Sequence, residues 1–371
     1  MSLKNEISIY NTFIKDTAIE KVAEVLKSTF ISEGKLVKEF ELTLTSNLGI
    51  VNPIALNSGT TALHLALDLA GIKEGDEVIL PAQTFVATGL VIVQMKAIPV
   101  FADINYEDGN ISIESIKQKI TPRTKAIMMV HWGGYPCDIE NIIALAKEYN
   151  LIVIEDAAHA IGASYKGKPI GSISDYTCFS FQAIKHITTG DGGALAILDN
   201  EKVKEGLTKR WFGIDRGSSV LSELGEREYN IESLGYKYHM NDYAAALGIS
   251  NLEGFSERLK KRQLIVDIYN QGLKNSPGIN LFKYNNDRIS ANWLYGLHVE
   301  NRLGFIRKLK EYKIVASVIH QRIDRNSIFG GLTEKLWNQE KFDLTQIHIP
   351  IHDNITIEDA EYIVQTIKSG W

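Results

Sequence analysis

The chain has 371 residues, 44% of them hydrophobic and 23% charged, close to the average of soluble globular proteins and unlike a disordered or fibrous chain. At ~150 residues per domain this length predicts two domains, or one large domain with a smaller one appended. Forty Lys and Arg against forty-five Asp and Glu give a net charge of −5, with no basic run that would track a phosphate backbone, so nucleic acid is excluded as an expected partner.

From about residue 52 short apolar runs alternate with amphipathic segments. The runs Pro53–Leu56, Glu77–Pro81, Pro99–Ile104, Lys125–His131 and Leu151–Glu155 read as strands. Between them Thr61–Ala70, Phe85–Met95, Ser112–Ile120 and Asp138–Tyr149 read as helices. Continuous apolar strands alternating with helices predict a mostly parallel sheet covered on both faces, which Thr177–Phe181 and Ala194–Leu198 would complete at seven strands. A long helical stretch from Asn241 through Lys274 is expected to lead out of this large domain. Beyond it come an extended run at Trp293–Val299, a helix near Arg302–Tyr312, a strand at Ala316–His320 and a closing helix at Ile357–Ile367, the pattern of a small α+β domain. The expected division is a large domain over 1–250 and a small C-terminal one over 251–371, with the first ~30 residues packed against the latter.

The two cysteines, Cys137 and Cys178, have no CxxC or Cys/His metal spacing, so neither a disulfide framework nor a metal site is expected. The N-terminus lacks an apolar core of signal-peptide length, and no apolar stretch approaches the ~20 residues that span a bilayer. A cytoplasmic protein without membrane contact is the expectation.

Three motifs carry chemistry. Asn57-Ser58-Gly59-Thr60-Thr61 follows a predicted strand and opens a predicted helix, where free amides and a positive dipole end suit a phosphate; the same residues also suit a plain helix cap. Glu155-Asp156-Ala157-Ala158-His159 sits at the C-terminal end of an apolar strand, where open α/β sheets bind ligands, and the Asp156 carboxylate can pair with a protonated ring nitrogen or cap a turn. In Ser180-Phe181-Gln182-Ala183-Ile184-Lys185, a lysine just past a strand and ahead of a glycine-rich turn can reach into a cleft and form an imine with a carbonyl cofactor. Three such pieces in this order favour pyridoxal 5'-phosphate.

With these motifs the chain resembles the nucleotide-sugar aminotransferases of the DegT/DnrJ type, built on the fold-type I aspartate aminotransferase plan. FISEGKLVKEFE, NSGTTALHLAL, LPAQTFVAT, IEDAAHAIGA, SFQAIKHITTGDGGAL, LGYKYHMNDYAAALG and IPIH carry the likeness over nearly the whole chain. The resemblance implies that Lys185 links covalently to the cofactor and Asp156 pairs with its pyridine nitrogen. Phe85 and Ala158 would bracket the ring, Gly59, Thr60 and Ser180 would bind the phosphate, and His159 and Gln182 would add contacts. Lys237, in the Gly235–Asp242 segment, would reach the neighbouring cofactor across a homodimer interface. Trp211, Arg216, His320 and Arg322 lie in segments similar to the family's substrate loops.

The implied reaction moves an amino group from glutamate to a nucleotide-linked keto sugar in amino-sugar biosynthesis, with a 4-keto-6-deoxyhexose favoured over a 3-keto sugar by the SFQAIKHITTGDGG form of the lysine motif. A sugar 3-dehydratase has histidine in place of the lysine, and His186 stands next door, but the SFQAIK spacing favours Lys185. A non-catalytic regulatory relative is the remaining alternative, and such a protein has little reason to keep Asp156 and Lys185 together.

Overall fold

The computed structural model describes residues 6–216 and 220–371. Helices α1 (Thr17–Ser28) and α2 (Lys35–Leu48) precede β1 (Pro53–Leu56), α3 (Gly59–Leu69), β2 (Glu77–Pro81), α4 (Val86–Gln94), β3 (Ile98–Ala102) and α5 (Ile113–Lys119). Next come β4 (Thr124–Val130), α6 (Ile139–Glu148), β5 (Ile152–Asp156), the short β6 (Ser164–Tyr165) and β7 (Lys168–Pro169), β8 (Tyr176–Ser180), β9 (Gly193–Ile197) and α7 (Asn200–Arg210). A small hairpin of β10 (Val220–Leu221) and β11 (Arg227–Glu228) leads to α8 (Asp242–Leu252) and α9 (Phe255–Leu273). The chain closes with β12 (Ile279–Leu281), β13 (Arg288–Ile289), β14 (Tyr295–Val299), α10 (Arg302–Glu311), α11 (Trp337–Thr345), β15 (Gln346–Ile349) and α12 (Ile357–Lys368).

The seven expected strands form one sheet in the order β1-β9-β8-β5-β4-β2-β3. Only β9 runs against its neighbours; the other pairs are parallel. Side chains alternate between its faces. Ile79, Ile127, Met129, Val153 and Phe179 enter one core with α2, α6 and α8, while Val78, Leu80, Met128, Ile154 and Cys178 enter the other with α3 and α4. Burial on both faces is why these strands read as unbroken apolar runs.

A third core gathers Tyr269 of α9, Leu297 of β14, Phe305 of α10, Ile347 of β15 and Ile363 of α12 around the sheet β12-β14-β15. Ile7 joins this core and bridges Ile314, while α1 packs on α8 beside the larger sheet. Among the described residues no helix is long and apolar enough to cross a membrane.

Two sequence expectations are corrected. The helical stretch from Asn241 to Lys274 is two helices, broken at Glu253-Gly254, where Gly254 takes a left-handed φ of 66°. Apolar periodicity on both sides of the break hid it. Ala316–His320 is not a strand: Ser317 alone bridges His348, and the His320 carbonyl instead accepts from the Gln83 side-chain amide at 3.2 Å. The strand that pairs with β14 is instead β15, which follows α11, neither of them anticipated.

Candidate active site

Parallel strands deliver their C-terminal ends to one edge of the sheet, where the crevice for ligands forms. Asp156 ends β5, Ser180 ends β8, and the turn after β1 opens α3 at the same edge. There a cavity of about 320 Å³ is lined by Gly59, Thr60, Phe85, Asp156, Ala158, His159, Ser180, Gln182, Lys185 and His320, all expected from sequence. Trp293, Thr84, Cys178, Asp191 and Gly192 line it too.

The phosphate-like end is built from backbone. Ser58 caps α3 by accepting from the Thr61 amide at 3.1 Å, and its carbonyl accepts from the Ala62 amide. The Gly59 and Thr60 amides, at the first two helical positions, have no acceptor among the described residues, so two donors and the positive end of α3 remain for an anion. A Cβ on Gly59 would stand 2.9 Å from the Ser180 Cβ, and one on Gly193 would stand 2.4 Å from the Ser58 carbonyl. These two glycines let β9 and β8 press against the turn. The cap reading and the anion reading therefore both hold, on different amides.

Asp156 is 6% exposed. Its Oδ2 accepts from the Thr88 hydroxyl at 2.7 Å and its Oδ1 from the Ala158 amide at 3.1 Å. Thr84 and Thr88 hydroxyls lie 2.7 Å apart, and because the Thr88 proton goes to Asp156, Thr84 is the donor between them. Burial pushes the Asp156 carboxyl above its ordinary range, against the pull of these donors and of Lys185. A cation facing Asp156 would relieve that cost.

Behind Asp156, His131 and Glu155 form a fully buried pair, Nε2 to Oε2 at 2.6 Å. The Cys137 amide donates to His131 Nδ1, so Nε2 carries the proton and donates to the carboxylate. Removing one member strands the other without water. We expect His131→Ala to lower stability by about 3 kcal/mol or more, read as a shifted denaturant midpoint with unchanged slope.

Lys185 follows a tight turn in which its amide donates to the Gln182 carbonyl at 2.9 Å, and the Gln182 side-chain oxygen accepts from the Ile184 amide at 3.0 Å. Its Nζ lies 3.8 Å from the centroid of the Trp293 ring. Burial pulls the amine down to about 7 from 10.5, only partly offset by Asp156. His159 stacks on Trp293 at 3.8 Å, its Nδ1 is buried without a partner among the described residues, and desolvation followed by the Lys185 charge keeps it neutral. His320 is held down to about 4 by the same two causes. The neighbouring His186 does not line the cavity: its Nε2 donates to the Ala291 carbonyl at 2.8 Å.

The other expected residues lie outside this cavity. Arg322 is buried in a two-point pair with Asp324 at 2.7 and 2.5 Å. Arg216 pairs with Glu33 and sits over Trp211, whose ring meets His239. Lys237 is exposed, and its carbonyl accepts from Asn57. Trp293 escaped the sequence reading because it stands 108 positions beyond Lys185 in a run that reads only as a strand. Thr84 and Thr88 carried a legible signal, two hydroxyls four residues apart around the start of α4.

Free helix amides at one end, an amine and a carboxylate in the same enclosure, and an unpartnered imidazole nitrogen form a donor set that fits a phosphorylated aromatic aldehyde. Together with the sheet order, this defines a pyridoxal-phosphate enzyme of the fold-type I plan. The chain belongs to the DegT/DnrJ/EryC1/StrS aminotransferase family, whose pattern matches residues 12–368. It is 33% identical to the GDP-perosamine synthase of Escherichia coli O157:H7, over 98% of each chain. It is 32% identical to the UDP-4-amino-4-deoxy-L-arabinose–oxoglutarate aminotransferase of Shewanella sediminis, over 96% of this chain and 95% of that one. The sugar aminotransferase CalS13 from Micromonospora echinospora shares the fold with a TM-score of 0.93 at 31% identity, over 98% of this chain and all of that one. The protein is a sugar aminotransferase, and its cofactor is pyridoxal 5'-phosphate.

Proposed function

We propose that the protein transfers the amino group of glutamate to a nucleotide-linked 4-keto-6-deoxyhexose, with Lys185 as the cofactor-bearing lysine and Asp156 as the partner of the cofactor's ring nitrogen. The observation that supports this most is the presence of the Lys185 amine, the Asp156 carboxylate and the two free α3 amides in one cavity. Glutamate and C4 are favoured by the Shewanella relative, whose name pairs a 4-amino sugar with oxoglutarate. Gly59, Thr60 and Ser180 would hold the phosphate, Phe85 and Ala158 would bracket the ring, and Gln182 and His159 would meet its polar edge.

When bound, pyridoxal phosphate supplies an electron sink that lets a carbon beside nitrogen lose its proton. Lys185 Nζ accepts that proton from the donor's α-carbon and delivers one to a second carbon within its reach. A buried amine near 7 is well suited to both halves, since at neutral pH its free-base and ammonium forms are both populated. The Asp156 carboxylate stabilises positive charge on the ring nitrogen. His186, turned away into its bond with Ala291, is poorly disposed to replace Lys185, which disfavours the dehydratase reading.

Among the described lining residues Lys185 is the only lysine or arginine, against the carboxylates of Asp156 and Asp191. A phosphate there calls for a further cation. This supports a homodimer in which Lys237 comes from the neighbouring chain. Leu224, Leu234 and Ile19, 89%, 75% and 73% exposed, offer apolar surface for the contact. Mixing K185A with K237A protein is expected to restore about a quarter of parental activity, because half the dimers are mixed and each has one intact site. No restoration would exclude the shared site. The separate core around Leu297 and Phe305 supports treating 251–371 as a small domain.

Gly59→Ala tests the anion end. The added methyl would crowd Ser180, and we expect cofactor affinity to fall at least about tenfold with little change in fold, measured by fluorescence titration with pyridoxal phosphate. The overall proposal is tested by mass spectrometry of the sugar product formed with glutamate and nucleotide-linked 4-keto and 3-keto sugars. An aminated product from the 4-keto sugar is expected.

A further inference from the structure

The segment Ser290 to Leu294 is tied to Lys185 from both sides. His186 Nε2 donates to the Ala291 carbonyl at 2.8 Å, and Trp293 Nε1 donates to the Ile184 carbonyl at 3.1 Å, so the residues before and after Lys185 are each fastened to it. The segment is itself fixed to the Gly133-Gly134 turn, with the Leu294 amide donating to the Gly133 carbonyl and the Ala291 amide to the Gly134 carbonyl, both at 3.0 Å. Backbone contact there is close enough that a Cβ on Gly134 would stand 3.1 Å from the Trp293 nitrogen. The indole, 2% exposed, is packed by the parallel His159 ring at 3.8 Å and by Tyr10 at 5.3 Å. It has little freedom to move, and the Lys185 amine lies 3.8 Å from its centroid.

We propose that Trp293 is a positioning residue for the known reaction: its N–H fixes the Lys185 backbone, and its ring face holds the lysine amine whenever that amine is not attached to the cofactor. A ring face attracts an ammonium more than a neutral amine, and the attraction grows when water is excluded. The indole therefore opposes the desolvation that pulls the Lys185 amine down to about 7. The charged and titratable groups around the amine are Asp156 at the end of β5, His159 in the following turn, His186 beside it in the chain, His320 from the opposite wall, and the Asp191 carboxylate and Cys178 thiol that line the same cavity. Three of these are imidazoles held neutral by burial, and Asp156 is the carboxylate whose charge raises the amine, so Asp156 and the indole are what favour the ammonium form. The proton carrier would thus keep a usable fraction of both forms and a constant reach.

This inference rests on the reading of Lys185 as the cofactor-bearing proton carrier. Its test is the pH dependence of Lys185 acetylation by acetic anhydride in the cofactor-free full chain, followed by peptide mass spectrometry, in the parent, W293L and W293F. Leucine keeps the site apolar but removes both the ring and the N–H. We expect its acetylation midpoint to fall by about half a unit or more, and phenylalanine to recover most of that shift. With cofactor bound, W293L should lose about tenfold in kcat for glutamate with KM unchanged. A W293L protein with parental midpoint and kcat, altered only in melting temperature, would overturn the inference. So would a midpoint that rises toward ordinary lysine, which would make exclusion of water the indole's sole contribution. If borohydride fixes no cofactor on Lys185 in the parent, the functional reading fails instead.

Discussion

Lys185→Ala is expected to abolish covalent attachment of pyridoxal phosphate and to reduce turnover by on the order of 10⁴-fold, because one substitution removes both the proposed link and the proposed proton carrier. Borohydride reduction of the parent followed by peptide mapping should find the cofactor on the peptide containing Lys185, and no such adduct should form in the variant. The fold should survive. In the cofactor-free protein the variant is expected to be more stable than the parent at low pH. The sign follows from the amine's position: an amine lowered to about 7 in the folded state but near 10.5 unfolded disfavours folding progressively as pH falls from 10.5 to 7. Below that window the whole cost of burying an ammonium is present, and removing the amine removes the cost. Equal stability of parent and variant at pH 6 would mean that the amine is not desolvated.

Asp156→Asn is the second large effect. It keeps the shape of the side chain, and the amide oxygen can still accept from Thr88, but it removes the charge proposed to pair with the ring nitrogen. Turnover is expected to fall by on the order of 10³-fold with the cofactor still attached. Stability should move the opposite way. Burial holds the Asp156 carboxyl above its unfolded value, so the folded state binds the proton more tightly, and the cofactor-free protein loses stability as pH rises through the window between the two values. D156N should therefore be more stable than the parent at pH 7, with the difference shrinking as pH falls through that window and gone below the unfolded carboxyl value near 4. Thermal unfolding at pH 7 and pH 3.5 measures both. A D156N protein that is less stable than the parent at neutral pH would show that the carboxylate is not carrying a desolvation cost.

Such opposed signs in activity and stability mark groups arranged for a ligand rather than for the fold. The His131–Glu155 pair is the contrast: its groups satisfy one another, and its loss should weaken the protein without any direct contact to the cavity.

Much of the fold could be read from residue order because the central strands are buried on both faces, so each appears as a short apolar run that its flanking helices delimit. All seven were found, β1 and β2 at their exact bounds and the other five with ends shifted by one or two residues. Reading failed where side chains, rather than periodicity, decide the backbone's partners. Ala316–His320 has strand-like composition, yet the amide of Gln83, over 230 positions away, takes the His320 carbonyl. Gly254 breaks a helix whose apolar pattern continues on either side. In the site, the local motifs around Gly59, Asp156 and Lys185 were legible because each packs strand end, turn and functional side chain into a few residues. Trp293 was not, since its only link to Lys185 is through space. Arg322 stands in a segment that resembles the family's substrate loops, and its neighbour two residues on, Asp324, holds it in a buried pair.

The central claim is tested most directly by the absorption spectrum of the purified protein with pyridoxal phosphate, recorded before and after glutamate and then after a nucleotide-linked 4-keto-6-deoxyhexose. A visible band from the lysine-linked cofactor is expected to bleach with glutamate and to return when the keto sugar is added, neither change occurring in K185A. A band that glutamate leaves untouched, or one that bleaches and is restored by no keto sugar, would contradict the claim.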